Sequence, residues 1–245
     1  MNVAGARILV VGGVHRLGRA LALDLARHGS ALAVSSRTQG DAAGAQVAAL
    51  RAAGAPAAVA IAGDARLPAG AARLVADARD ALDGLDALVF AASGPFVPQQ
   101  PQAIDEEAWD ASMDTIAKGF FFTACAAHER LSPGGAIVAI TDYLGLQPWA
   151  SFAAHGAAKA AQIHLVKELA RAWAPDGVRV CGVAPGPVDL EDDEHRAATL
   201  RAAAKVAAER LVTPADVGAA VRFCLETEGV TGVNVAVDNG SLVMS

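Results

Sequence analysis

Aromatic residues and cysteines are both scarce in this chain. Of its 245 residues, 4% are aromatic and three are cysteine. Few rings leave little for stacking on bases, and a net charge of −6 provides no basic face, so no nucleic-acid partner is expected. Cys125, Cys181 and Cys224 are widely spaced, odd in number and form no CxxC pair. That pattern argues against a disulfide framework or a structural zinc site, and makes a reducing cytoplasm the expected setting. His15, His28, His128, His164 and His195 lack metal-ligand spacing, so no metal is expected. The longest apolar stretches are alanine-rich and are broken by charges within about 18 residues, too short to span a bilayer. Met1 leads into Ile8-Leu9-Val10-Val11 without a basic segment or cleavage site, so no leader is expected.

What is present is apolar residue in quantity. Hydrophobic residues make up 53% and charged residues 19%, enough to bury a large core. Short apolar runs at Ile8–Val11, Ala31–Ser35, Ala57–Ala60, Ala87–Ala91, Ala136–Ile140, Arg179–Val183 and Asn234–Val237 alternate with segments of helical spacing. Examples of the latter are Arg19–His28, Asp41–Ala53 and Ala69–Ala81. Strands buried on both faces and separated by helices build a parallel sheet from βαβ units. The expectation is an α/β fold of the Rossmann type: a doubly wound parallel sheet of about seven strands with helices on both faces. No linker or repeat divides residues 1–245, so one domain is expected.

The first strand runs into Val11-Gly12-Gly13-Val14-His15-Arg16-Leu17-Gly18 and then a helix opening at Arg19. Glycines in such a turn let backbone N–H groups approach a phosphate, and the helix adds its positive end. An NAD site usually places an acid about 20 residues further on, to accept from the ribose 2′-hydroxyl. Here the second strand ends Ser35-Ser36-Arg37-Thr38. Arg37 and Arg16 can hold a 2′-phosphate through charge-assisted hydrogen bonds, so NADP(H) is expected in preference to NAD(H).

The spacing Gly12-x5-Gly18, Arg37 after the second strand and Asp64 after the third resemble the short-chain dehydrogenase/reductase family. So do Lys118-Gly119, Pro185-Gly186-Pro187-Val188, Thr231-Gly232 and Val237-Asp238-Asn239-Gly240, in the family's order along the whole chain. The resemblance implies a cofactor site formed by Gly12, His15, Arg16, Leu17, Gly18, Ser36, Arg37, Asp64, Ala91, Ala92, Lys159, Pro185, Gly186 and Val188, with Asp64 on the adenine. Arg16 where a glycine is usual resembles the pteridine-reductase branch, which prefers NADPH. The family also implies a homo-oligomer, a tetramer or dimer.

At the catalytic end the chain departs from the family, whose active site is Ser, Tyr and Lys with an Asn from an earlier helix. Lys159 is present, but His155 stands four residues before it, and Asp142 thirteen before that. Pteridine reductases also carry Asp there, and Gln147-Pro148 fits the same branch. The Asn position falls on Ile116, and the usual Asn-Asn-Ala-Gly reads Phe90-Ala91-Ala92-Ser93. His155 and Lys159 at i and i+4 project from one helical face. An imidazole, titrating near about 6.5 in its ordinary state, can donate a proton as imidazolium. Asp142, His155 and Lys159 are therefore the candidate catalytic residues, with Tyr143, the only tyrosine, as an alternative donor.

Ser93, Phe96, Tyr143 and Trp149 are candidates for the substrate pocket, Phe96 and Trp149 for stacking on a flat ring. A lid is expected at about 189–210, where Glu191-Asp192-Asp193-Glu194 precedes the helical stretch Arg196–Arg210. Three readings follow: an NADPH-dependent reductase of a small molecule's carbonyl or C=N group, a non-redox acid–base enzyme, or a nucleotide-binding protein without catalysis.

Overall fold

In the computed structural model, residues 1–38, 40–94, 96–190, 199 and 206–243 are described. The strands are β1 (Arg7–Val11), β2 (Ala31–Ser36), β3 (Ala58–Ala62), β4 (Ala87–Phe90), β5 (Ala136–Ile140), β6 (Arg179–Pro185) and β7 (Asn234–Val237). They form one sheet in the order β3-β2-β1-β4-β5-β6-β7, and every pairing is parallel. This is the doubly wound Rossmann-like arrangement. Its strand order reverses between β1 and β4, where ligands sit in such folds.

The helices are α1 (Arg16–Arg27), α2 (Asp41–Ala52), α3 (Pro68–Ala81), α4 (Glu106–Met113), α5 (Gly119–His128), α6 (Ala153–Trp173) and α7 (Pro214–Glu226). The side-chain period of a strand divides the core between the two faces of the sheet. Ile8 and Val10 of β1 pack with Leu21 and Leu25 of α1, Leu50 of α2 and Val217 and Val221 of α7. Leu9 and Val11 point the other way, toward Leu74 of α3, Phe120 of α5 and Val166 of α6. Thr213 and Asp216 form a capping box that starts α7 at Pro214.

Several ends differ from expectation by a few residues. β6 continues to Pro185 because Ala184 and Pro185 still pair with Ala236 and Val237. The first helix begins at Arg16, three residues before the expected Arg19, since His15 is extended and acts as its N-cap. At the sheet's amino edge, Arg7 binds Asp86 through two side-chain hydrogen bonds and also reaches Ser132. The guanidinium holds the Asp86 carboxyl down at about 2, so this pair is a structural clamp between β1, β4 and β5.

Candidate active site

The turn after β1 is shaped by contacts that no larger residue could make. Gly12 has φ +78°, and a Cβ there would stand 3.0 Å from the Ala92 backbone. A Cβ on Gly18 would lie 2.2 Å from the Gly12 carbonyl oxygen, so the helix start presses directly on the loop. Arg16 is itself left-handed at φ +48°, at the place where the loop enters α1. Gln46 of α2 secures the turn from behind, donating to the Gly13 and Arg19 carbonyls. The turn therefore stands against Ala91 and Ala92 at the end of β4, at the switch point.

Beside it, Ser36 ends β2 with its hydroxyl on the Thr38 carbonyl, and Arg37 is exposed. Asp64, after β3, is held by Arg66 through both carboxylate oxygens, at 2.6 Å for the shortest contact. That bond, above all, lowers the Asp64 carboxyl below the usual range, and Arg37 adds to the effect through space. Two arginines thus flank the one acid in this corner, which leaves its local field favourable to an anion.

The second cluster is carried by the end of β5 and the first turns of α6. Asp142 caps the short 3-10 turn Tyr143–Gly145, accepting from the Leu144 N–H at 2.8 Å. Its other oxygen lies 3.2 Å from His155 Nε2. His155 is 4% exposed, and its Nδ1 is buried with no partner among the described residues. Lys159, one turn further on, is also buried and donates to the Ile140 carbonyl at 2.7 Å and to Gln162 Oε1 at 3.2 Å. Burial pulls its ammonium down to about 8, and the Asp142 charge opposes that pull. The fold thus brings Asp142, His155 and Lys159 to one place at the carboxyl end of the sheet.

An aromatic wall stands beside them. The Phe96 ring meets the His155 ring edge-on at 5.0 Å and stacks on Phe152 at 4.3 Å. Trp149 stacks on Phe152 at 6.0 Å and meets Tyr143 at 6.1 Å. Phe152 is the member that sequence reasoning missed; its signal was its place three residues before His155, on the same face of the helix start. Ser93 lies exposed in the loop that follows β4. Burial pushes the Tyr143 phenol well above its ordinary value, and Asp142 and Asp238 push it further.

Ile116 is fully buried in a π-turn, Asp114–Lys118, between α4 and α5. The helical break persists there without a polar side chain at its centre. After β6, a Cβ on Gly186 would meet the Asp238 backbone at 2.9 Å, and Val188 bridges Val212. The segment expected as a lid leaves and returns at that bridge; its residues 191–198 and 200–205, which include the acidic run, lie outside the described residues. Among the described residues no cluster of metal ligands occurs, and no helix is long and apolar enough to cross a membrane.

A family model described as enoyl-(acyl carrier protein) reductase matches residues 13–241. The chain is 30% identical to an L-rhamnose 1-dehydrogenase (NAD(P)(+)) of Azotobacter vinelandii, over 96% of this chain and 96% of that one. It is 34% identical to an uncharacterised short-chain type dehydrogenase/reductase of Sinorhizobium fredii over 50% of this chain, spanning 24% of that relative's length. A short-chain dehydrogenase from Burkholderia cenocepacia, solved in complex with NADP, superposes with a TM-score of 0.89 at 29% identity. The match covers 99% of this chain and 100% of that one. The chain belongs to the short-chain dehydrogenase/reductase family, a family of oxidoreductases.

Proposed function

We propose that this protein is an NADPH-dependent reductase of a carbonyl or C=N group in a small molecule, working through an Asp142–His155–Lys159 centre. The observation that carries the reading is the His155 ring. Nε2 is held by Asp142, while the buried Nδ1 has no partner among the described residues and sits one helical turn from Lys159. A buried polar atom without a partner is costly, and a substrate oxygen or nitrogen is the partner this arrangement fits.

The residues around the glycine turn fit a dinucleotide: Gly12 and Gly18 allow close backbone approach, and the end of β2 carries no acid. His15, Arg16, Leu17, Ser36 and Arg37 would hold the phosphate-bearing end. Asp64, Ala91 and Ala92 would line the adenine and ribose, and Pro185, Gly186 and Val188 the nicotinamide side. The chemistry supplied there by NADPH is hydride donation to the electrophilic carbon. Asp142 fixes the orientation of His155, and His155 Nδ1 would give the proton to the substrate heteroatom. Lys159 would hold the ribose hydroxyls and contribute positive potential. The raised phenol of Tyr143 makes it the weaker acid, so its place is in the pocket wall with Phe96, Phe152 and Trp149. Ser93 completes that pocket.

Arg16, Asp142 and Gln147-Pro148 favour the pteridine-reductase-like branch, and the open aromatic edges of Phe96 and Trp149 suit a flat substrate. The same reading takes the protein to be a cytoplasmic homo-oligomer, a tetramer or dimer, folded as one domain. Side-by-side titrations with NADPH and NADH test the cofactor half. The wild type is expected to prefer NADPH, and Arg37→Glu to lose about 10- to 100-fold in NADPH affinity while NADH binding changes little. Equal affinity for the two cofactors in the wild type would remove Arg37 from the reading.

A further inference from the structure

We propose that Gln162 is a positioning residue for Lys159, its amide oxygen fixing the ammonium at the carboxyl end of β5. The proposal rests on reading Lys159 as part of the reaction centre. Gln162 is fully buried on a stretch of α6 whose neighbouring inward residues, Ala158, Ile163 and Val166, are apolar. Among the described residues its one side-chain hydrogen bond runs from Lys159 Nζ to its Oε1, at 3.2 Å. Its Nε2 is buried without a partner among the described residues. An amide half satisfied in a core is costly, so leucine or methionine would serve packing better at this position. What Gln162 supplies that they cannot is an acceptor for the lysine.

That acceptor matters because the neighbouring helix offers none. Ile116, at the centre of the π-turn packed against α6, is fully buried and apolar. Lys159 therefore has two acceptors, the Ile140 carbonyl, fixed in the backbone, and Gln162. With Gln162 in place the ammonium is held from two directions; without it, the side chain is left to a single bond.

The other charged or titratable groups nearby are few. Asp142 and Tyr143 face Lys159 from the loop after β5, and His155 precedes it on α6. In the π-turn Asp114 and Lys118 pair with each other, half-exposed. Glu106, Glu107 and Asp110 of α4 are exposed, and Arg179 of β6 donates to the Cys224 and Leu225 carbonyls. Only Asp142 contributes a charge that bears on Lys159. Removing the Gln162 acceptor should therefore make the ammonium easier to deprotonate, and a carboxylate in its place should make it harder.

The chain has four lysines, Lys118, Lys159, Lys167 and Lys205, so their side-chain carbons can be followed individually by NMR. The experiment titrates ¹³C-lysine-labelled wild type, Gln162→Met and Gln162→Glu from about pH 6 to about pH 11, the Lys159 signal being the one lost in Lys159→Met. In Gln162→Met the Lys159 midpoint is expected about one pH unit below that of the wild type. In Gln162→Glu it is expected above the wild-type value, and the alkaline limb of turnover should move with it in both variants. Midpoints that match the wild type in both variants would overturn the proposal. Should Met at this position prevent folding, the direction of the Gln162→Glu shift decides alone. The titration uses the protein without cofactor, so absence of NADPH binding by the wild type would count against the reductase reading and leave this test intact.

Discussion

Replacing His155 with phenylalanine is expected to lower kcat by about 100- to 10,000-fold while NADPH affinity changes by less than about threefold. The substitution keeps a flat ring of similar size in the slot beside Phe96 and Phe152, so the aromatic wall has no reason to collapse. What disappears is Nδ1, the ring nitrogen that Asp142 does not engage. The glycine turn is carried by β1 and α1, whereas His155 stands on α6, so the substitution leaves the turn's own residues in place. Asp142 loses His155 but keeps the Leu144 N–H and is 22% exposed at its side chain, so its charge remains solvated. Turnover equal to that of the wild type would move the proton-donating role to Tyr143.

The second large effect concerns stability and pH. Lys159 titrates at about 8 in the folded chain because burial opposes its charge, against an ordinary value of 10.5 when unfolded. Between those two values unfolding takes up a proton, so raising the pH works against unfolding. Below about 8 the group is protonated in both states and contributes no slope. The wild type should therefore gain about 2–3 kcal/mol relative to Lys159→Met between about pH 7 and about pH 10. Denaturant unfolding of the two proteins at stepped pH measures this difference directly. Tyr143, with its raised phenol, has the opposite sign and acts only above its unfolded value of 10.0; it is common to both proteins and cancels. A difference that stays flat across the range would mean that the ammonium is not buried as described.

The fold was legible because burial on both faces leaves continuous apolar runs, and all seven candidates became strands with ends displaced by two residues at most. Ala57–Ala60 shifted to Ala58–Ala62 because its end is set by pairing of Ser35 and Ser36 with Ile61 and Ala62. Such register is a property of two strands together and is invisible in either alone. The site divides in the same way. The family resemblance brought Asp142, His155 and Lys159 into one list, and helical period put His155 and Lys159 on one face. It could not tell which ring nitrogen meets the carboxylate or that the other is left without a partner. No motif in the sequence singles out Gln162; its meaning depends on the depth of Lys159 and on the apolar Ile116 across the interface. Asp64 was expected on an adenine from its place after β3, and its full engagement by Arg66 could not be foreseen from a two-residue spacing.

The most direct test of the account follows a labelled hydride. Purified protein is incubated with NADPH deuterated at either face of nicotinamide C4, together with a panel of flat cyclic ketones and imines. Products are then read by mass spectrometry and NMR. The account predicts deuterium on the former carbonyl or imine carbon, from one face only, with one NADPH oxidised per product formed. Conversion of substrate with the label retained in the cofactor would contradict it, and would assign Asp142 and His155 to acid–base chemistry without redox.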